Sequence, residues 1–287
     1  MPKVSTVTLS SVLDAREVTL PDFDKQYLDD VSFVTAMTLV MMGNYCQTGH
    51  FGGPLAYTPY TVASHLIGPE LGGLKYDYRR PKHPYSDKFM LAGGHNAPVA
   101  YALWMVLGEA LYQKYQNTGD KKYQADYNQT LLPIDCIGFR RSKQGMRTIL
   151  EQNGLVDHPA MAQAQVRGIR ALAGHSESTD ATNDVNGGPS GIGIATAAGK
   201  ATFWDIIGAS ESPKVMAVEG EFAMTSGHSQ EMKTQAVAQQ VGKRLRVLMS
   251  YNNAGIDDEL IGGVIQPQYE SYRIVDQWTS YGWNVFS

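Results

Sequence analysis

Three histidines in this 287-residue sequence directly follow a glycine, in segments whose composition predicts loops that lead into helices. They are His50, His95 and His175. Glycine lets the backbone come close to a ligand, and a neutral imidazole can hydrogen-bond a phosphate or transfer a proton near pH 7. A single loop histidine is more often only solvated, but the repeated Gly-His pair favours a shared catalytic or ligand-binding site.

A glycine-rich segment, GGPSGIG at residues 187–193, comes just before a predicted helix. The free backbone N–H groups and the positive end of a helix dipole favour an anion or a polar ring at such a place. The segment is not a Walker loop, because no Gly-Lys-Ser/Thr follows, and its spacing differs from the dinucleotide-binding pattern. By itself it is more simply explained as a flexible turn into a tightly packed helix.

Polar residues follow two predicted strands in the last third of the chain. Glu219 and Glu221 follow the apolar run Val215–Val218, and Asn253 follows the run Leu245–Ser250. Because the carboxyl ends of adjacent parallel strands meet at one edge of a sheet, we expect these side chains to lie close together. Carboxylate, amide and carbonyl oxygens suit Mg²⁺ or Ca²⁺, with a diphosphate supplying further anionic ligands. The alternative is a pair of ordinary polar strand ends.

The elements that must position these residues are strands that alternate with helices. Helices are expected at about residues 24–45, 60–67, 96–115, 143–152, 159–172, 190–208, 228–241 and 269–281, and strands at about 215–218, 245–250 and 283–286. This alternation predicts an α/β fold with a parallel sheet flanked by helices. Residues 1–287 are expected to form one domain, with an irregular arm over the first twenty or so residues. The polar residues 117–172 are an insertion to which the sequence assigns no function.

Composition narrows the class of protein. Hydrophobic residues make up 43% and charged residues 18%, which favours a folded core over disorder. The net charge of −4 gives no reason to expect a nucleic-acid or membrane partner. Two cysteines, Cys46 and Cys136, are too few for a disulfide framework or a metal knuckle, and they favour a reducing compartment. We see no signal peptide and no apolar run long enough to span a membrane, so a cytoplasmic location is expected.

Taken in order, the motifs resemble the N-terminal domain of transketolases and of the homodimeric pyruvate-dehydrogenase E1. CQTGHFGGP resembles the family turn SGHPG-x-P, and SDKFMLAGGHNAPVAYAL resembles its segment D-R-F-x-LS-x-GH. GHSES, followed by NGGPSGIGIATAAGKA, resembles the family string GHPE with GPLGQG-x-A-x-A-x-G-x-A. SYGWNVF resembles the strand AYGW-x-V. The match runs from about residue 32 to residue 286, which is far more specific than any one motif.

The resemblance implies a thiamine-diphosphate-binding fold with thiamine diphosphate and Mg²⁺ (or Ca²⁺) as cofactors. His95 matches the histidine that contacts the diphosphate, whereas His50 and His175 match histidines that line the substrate channel. All three would polarise a carbonyl and transfer protons. The backbone at Gly188 and Ser190 matches the positions that hold the aminopyrimidine ring.

The metal ligands implied by the resemblance are an acid, the side chain of Asn253 and the carbonyl of Gly255. The family acid lies in Gly-Asp-Gly, whereas this chain has Val-Glu-Gly-Glu-Phe at residues 218–222. Alignment with Glu219 keeps Gly220 beside the diphosphate but requires extra residues before Gly227. Alignment with Glu221 needs no gap but places a phenylalanine where the family has glycine. Glu219 is slightly favoured, and either acid is one methylene longer than the family's aspartate.

The implied activity is the transfer of a two-carbon ketol unit between sugar phosphates. In the family, an activating glutamate lies on a separate pyrimidine-binding domain, so a partner domain or subunit is expected, in a hetero-oligomer or a dimer of heterodimers. One alternative is an E1-type subunit that decarboxylates a 2-oxoacid. An alternative of another class is a non-catalytic scaffold subunit with a degenerate cofactor site.

Overall fold

A three-stranded parallel sheet lies at the centre of the computed structural model, which describes residues 6–126, 129–141, 143–157, 168–210, 213–255 and 274–287. Its strands are β3 (Lys88–Leu91), β4 (Val215–Gly220) and β5 (Leu245–Ser250), in the order β3-β4-β5. Lys88 pairs with Val215, which pairs with Leu245. The α/β class and the parallel sheet are thereby confirmed, and β3 is a strand that the sequence analysis did not identify.

Helices cover both faces of the parallel sheet. They are α1 (Lys25–Cys46), α2 (Gly52–Leu66), α3 (Ala97–Thr118), α4 (Lys143–Gln152), α5 (Ile192–Ile206), α6 (Gly227–Ala238) and α7 (Ile274–Ser280). Alternate residues of β4 face opposite sides, as the pleat of a strand requires. Met216 and Val218 pack toward α1–α3, whereas Val215 and Ala217 pack toward α5 and α6. Because both faces are covered, β4 is a continuous apolar run.

The second helix begins earlier than the sequence indicates. The segment Gly49–Pro54 was predicted to be a turn before a helix at residues 60–67, but α2 already starts at Gly52. Proline is tolerated in the first turn of a helix, so Pro54 does not prevent this start. The correction matters for the site, because the helix now begins two residues after His50.

Within the described residues, no helix combines the length and the apolar character that crossing a membrane requires.

The N-terminal arm contains regular structure, contrary to the expectation of an irregular segment. Residues Thr6–Ser10 (β1) and Ala15–Thr19 (β2) form an antiparallel hairpin. The predicted last strand, β6 (Val285–Phe286), pairs with β1 and not with the parallel sheet. The sequence of β1, TVTLS, does alternate polar and apolar residues as a strand typically does, whereas β2 and β6 are short, mostly exposed and show no such alternation.

The insertion at residues 117–172 packs against α1 and α3. Its described part includes the last two residues of α3, a 3₁₀ helix at Pro133–Gly138 and α4. The buried carboxylate of Asp135 accepts hydrogen bonds from the backbone N–H groups of Leu132 (2.8 Å) and Arg170 (3.0 Å). Phe139 is fully buried and touches the turn at Gly49, where an added Cβ would lie 2.9 Å from its ring. The predicted helix at 159–172 falls on residues 159–167, outside the described residues, and on residues 168–172, which are not helical.

A buried histidine in this core makes stability depend on pH. The ring of His65 packs against Phe89, with ring centroids 4.5 Å apart, and Trp104, at 5.2 Å. Burial lowers its pKa from 6.5 to about 4. Between these values the unfolded chain takes up a proton that the folded protein does not bind. Stability is therefore lost as pH falls from 6.5 to 4, by at most about 1.4 kcal/mol per pH unit.

We expect His65→Gln to flatten this part of the pH profile, whatever it does to stability at pH 7. The measurement is the free energy of unfolding in urea at pH 7, 6 and 5 for the wild type and the variant. His83→Gln, at an exposed position, is the control. Equal slopes for the wild type and His65→Gln would contradict the prediction.

Candidate functional site

The candidate site lies at the carboxyl edge of the parallel sheet, where three loops leave three adjacent strands. The Gly-Gly-His turn follows β3, and the acidic turn and the Asn-Asn loop follow β4 and β5. Glu219 pairs with Met249, and Gly220 pairs with Ser250, at the very ends of β4 and β5. The acid and the amide therefore follow neighbouring strand ends, as the alternation of strands and helices led us to expect.

The three predicted histidines come together, although they are far apart in sequence. The ring centroid of His50 lies 5.4 Å from that of His95 and 6.5 Å from that of His175. A backbone hydrogen bond from Ser176 to the carbonyl of Gly94 (3.0 Å) attaches the loop of His175 to the turn that carries His95. Burial, and then the positive charges that His50 and His175 can carry, lower the pKa of His95. Its imidazole is therefore neutral at pH 7.

The glycine-rich turn packs directly against the turn of His95. A Cβ on Gly94 would lie only 1.8 Å from the carbonyl oxygen of Gly187, so the two backbones touch. The next glycine, Gly188, has nothing within 4 Å of its Cβ position, and Ser190 is exposed. The turn ends at Gly191, whose φ of +85° is readily accessible only to glycine. Gly188 and Ser190 are thus open to solvent beside the turn that carries His95.

Glu219 connects the end of β4 to the start of α5. It is 2% exposed, and its carboxylate accepts hydrogen bonds from the N–H groups of Gly191 (3.2 Å) and Gly220 (3.0 Å). Burial raises its pKa despite these two hydrogen bonds. A carboxylate at this place also complements the positive end of the α5 dipole.

Glu221, equally buried, organises the loop after β5. Its Oε1 atom accepts hydrogen bonds from the N–H groups of Asn252 (3.0 Å) and Ala254 (3.2 Å). In this loop Asn253 takes a left-handed conformation with φ of +53°. Phe222 covers Gly255, where an added Cβ would lie 2.3 Å from the phenyl ring. Both acids thus reach the edge of the sheet, each bound to a different loop.

The sequence analysis did not single out Tyr57, which also reaches this edge. Tyr57 lies on α2, and its hydroxyl is 3.2 Å from the position that a Cβ on Gly220 would take. Burial, followed by the charges of Glu219 and Glu221, raises its pKa, so the hydroxyl stays protonated at neutral pH. A helix predicted to start directly after His50 would have placed Tyr57 on the buried side with Pro54 and indicated its role.

Asn96 was missed as well, although it directly follows His95. It is 1% exposed, and its Oδ1 atom has no hydrogen-bond partner among the described residues. Its side chain approaches the hydroxyl of Tyr57 and partly offsets the rise in the pKa of that group. A buried acceptor without a partner costs free energy, so its presence beside a histidine cluster points to a functional site.

The donor atoms at this edge fit a divalent cation held together with an anionic ligand. Within the described ranges, no group of three or more His, Cys, Asp or Glu side chains is placed to hold a metal by itself. The oxygen atoms of Glu219, Glu221 and the Asn252–Gly255 loop are the hard ligands that Mg²⁺ and Ca²⁺ prefer.

The fold is the one found in solved structures of transketolases. In solved structures, the transketolase from Campylobacter jejuni matches 91% of this chain with a TM-score of 0.62 and 18% identity. The transketolase from Leishmania mexicana matches 89% of this chain with a TM-score of 0.60 and 17% identity. The chain therefore has the transketolase fold, as the motifs predicted.

Two curated relatives also carry a transketolase name. Transketolase-like protein 2 of Mus musculus is 30% identical over 94 residues, which is 33% of this chain and 14% of the relative. Transketolase-like protein 2 of Homo sapiens is 44% identical over 36 residues, 12% of this chain and 6% of the relative. No family model matches the sequence. The chain spans about a third of the length of the solved transketolases, 33% and 31% for the two named above.

Proposed function

We propose that this chain is a transketolase-like cofactor-binding domain that acts with a partner pyrimidine-binding domain to transfer a two-carbon ketol unit between sugar phosphates. One observation carries the proposal: His50, His95 and His175 converge at the same sheet edge as the buried Glu219. Imidazoles beside a hard oxygen site suit a phosphorylated cofactor and proton transfer.

The residues of this chain would bind the cofactor from two sides. His95 and the backbone at Gly220 would hold the diphosphate, and the backbone at Gly188 and Ser190 would hold the aminopyrimidine ring. Bound thiamine diphosphate supplies a nucleophilic carbon and a sink for negative charge beside a carbonyl. The more exposed His50 and His175 would hydrogen-bond the substrate carbonyl and exchange protons with its hydroxyl groups.

The metal would be held by oxygen atoms of the same edge. Glu219 is the better candidate for the acidic ligand, because it is the acid that lies between the glycine turn and Gly220. Asn253 and the carbonyl of Gly255 would complete the protein ligands of Mg²⁺ or Ca²⁺, and Glu221 would hold their loop in place.

The partner would cover the exposed apolar face of α1. Seven large apolar residues of this helix are between 41% and 67% exposed: Tyr27, Phe33, Val34, Met37, Val40, Met41 and Tyr45. Exposed apolar surface of this extent marks an interaction site. About two thirds of the solved transketolases have no counterpart in this chain, so a domain of the size needed to cover α1 is available in that class of enzyme.

We expect Met37→Glu to weaken association with the partner at least about tenfold, because a carboxylate would be buried there without a counter-ion. The thermal midpoint of the isolated chain should stay unchanged, since Met37 is exposed. The measurement is the sedimentation of the chain mixed with its partner. Asn117→Glu places the same charge at an exposed position on α3 and serves as the control. Equal association of both variants would place the partner elsewhere.

The test of the function is calorimetric titration of thiamine diphosphate with Mg²⁺. It is made on the purified chain and on the chain isolated with its partner, and is followed by turnover of ketose phosphates and 2-oxoacids. Weak binding to the chain alone and much tighter binding in the presence of the partner, with ketose-phosphate turnover, is the expected result. Turnover of a 2-oxoacid instead would favour the E1-type alternative.

A non-catalytic scaffold is the second candidate function. The observation in its favour is that both buried acids already have a structural role, since each accepts two backbone hydrogen bonds. In that case, neither the chain nor its complex would bind the cofactor in the titration, although both would be folded.

A further inference from the structure

Polar side chains from three different elements lie close to Gly220 and to the glycines near it. Tyr57 comes from α2, Asn96 from the turn after β3, and Glu219 from the end of β4. Each borders on a glycine where a side chain would collide with it. A Cβ on Gly53 would lie 2.2 Å from Oδ1 of Asn96, and one on Gly93 would lie 2.8 Å from Oε1 of Glu219. The glycines thus leave room for these three polar groups.

The ring of Tyr57 is anchored in the apolar core, so its hydroxyl has a fixed position. The side chain is 5% exposed and packs in the cluster that contains Phe89, Leu91 and Val218, residues of β3 and β4. From there its hydroxyl reaches past the end of β4, to 3.2 Å from the Cβ position of Gly220. An apolar side chain would fill the core equally well, so the hydroxyl itself calls for an explanation.

The amide of Asn96 approaches the Tyr57 hydroxyl and offsets part of the rise in the pKa of that group. Oδ1 of Asn96 has no hydrogen-bond partner among the described residues. An amide N–H that donates to the hydroxyl oxygen would leave the hydroxyl proton of Tyr57 available to another acceptor. The carboxylates of Glu219 and Glu221 act on it electrostatically, and both already accept backbone hydrogen bonds.

We propose that Tyr57 is a ligand-contacting residue of this site, whose hydroxyl donates a hydrogen bond to the phosphate oxygen held against Gly220, while Asn96 fixes the direction of that hydroxyl. This proposal rests on the proposed function, because it requires a diphosphate at that place. A neutral donor between two acids lets a negatively charged phosphate approach them, since it offsets part of the repulsion. Tyr57 would thereby contribute to selection of the cofactor's diphosphate end.

The experiment compares Tyr57→Phe with the wild type by calorimetry on the full chain, with Mg²⁺ and either inorganic diphosphate or thiamine diphosphate. A lost hydrogen bond to a charged group should weaken the binding of both ligands by roughly tenfold to a hundredfold. The thermal midpoint should remain within the range of the control, Tyr60→Phe, which removes a hydroxyl from an exposed position on the same helix.

Each other outcome overturns the proposal in a distinguishable way. Unchanged affinity for both ligands in Tyr57→Phe would remove Tyr57 from the site and leave the proposed function intact. Weaker binding of Mg²⁺ alone, titrated without diphosphate, would show that Tyr57 acts through the acids and not on the phosphate. A wild type that binds neither ligand would overturn the proposed function together with this inference.

Asn96→Ala should reproduce part of the loss of ligand affinity, because the hydroxyl of Tyr57 is then no longer oriented.

Discussion

Replacing Gly94 with alanine is expected to lower the free energy of unfolding by about 3 kcal/mol and to abolish binding of Mg²⁺ with diphosphate. The added Cβ would lie 1.8 Å from the carbonyl oxygen and 2.5 Å from the carbonyl carbon of Gly187. Backbone cannot rotate away as a flexible side chain can, so the turn of His95 and the turn of Gly188 must separate. Urea unfolding and calorimetric titration of the same sample measure both effects.

A matched substitution separates this collision from the general effect of adding a methyl group. Gly199 lies exposed on α5, and its Cβ position has nothing within 4 Å. Gly199→Ala should stabilise the protein by up to about 1 kcal/mol, because alanine is the better helix former. If Gly94→Ala and Gly199→Ala both kept wild-type stability, the two turns would not be in contact.

The fold was predictable where local sequence and tertiary structure agree. The strand at Leu245–Ser250 and the helix at Lys143–Gln152 have the predicted bounds. The sequence around α2 was misleading, because its two glycines and Pro54 are typical of a turn, whereas packing against α3 and the sheet maintains a helix there. The pairing of β1 with β6 could not be predicted from the sequence, because β6 lies more than 260 residues further along the chain and no local pattern reports such a pairing.

The site was predictable to the extent that it consists of motifs attached to strand ends. The glycines before the three histidines and the acid after β4 could be read directly, because parallel strands bring their carboxyl ends to one edge. Tyr57 and Asn96 could not be read, since their proximity depends on how α2 is rotated against the sheet. The sequence was also silent on which backbone groups the acids bind, and this contact distinguishes Glu219 from Glu221.

Alanine at Glu219 and alanine at Glu221 are expected to give different results, because the two acids hold different parts of the site. Glu221→Ala leaves the N–H groups of Asn252 and Ala254 without their acceptor. It should lower the free energy of unfolding by about 2 kcal/mol. It should weaken ligand binding only indirectly, because the loop that Glu221 holds in place becomes looser. Glu219→Ala should instead weaken binding of Mg²⁺ with diphosphate by at least about a hundredfold. Replacing even a residue that only hydrogen-bonds a metal ligand typically weakens metal binding tenfold to a hundredfold.

The conservative variant Glu219→Gln gives the sharpest form of this test. Burial raises the folded pKa of Glu219 above its ordinary 4.5, so above pH 4.5 the folded protein binds more protons than the unfolded chain. The contribution of Glu219 to stability therefore falls as pH rises from 4.5 through the folded pKa, opposite in sign to that of His65, and Glu219→Gln should lack it. Mg²⁺ with diphosphate should restore the lost stability in the wild type alone, because only a carboxylate gains a counter-ion. The measurement is urea unfolding at pH 7 with and without Mg²⁺ and diphosphate. If the ligands stabilised both proteins equally, Glu219 would not be the metal ligand and Glu221 would be the remaining candidate.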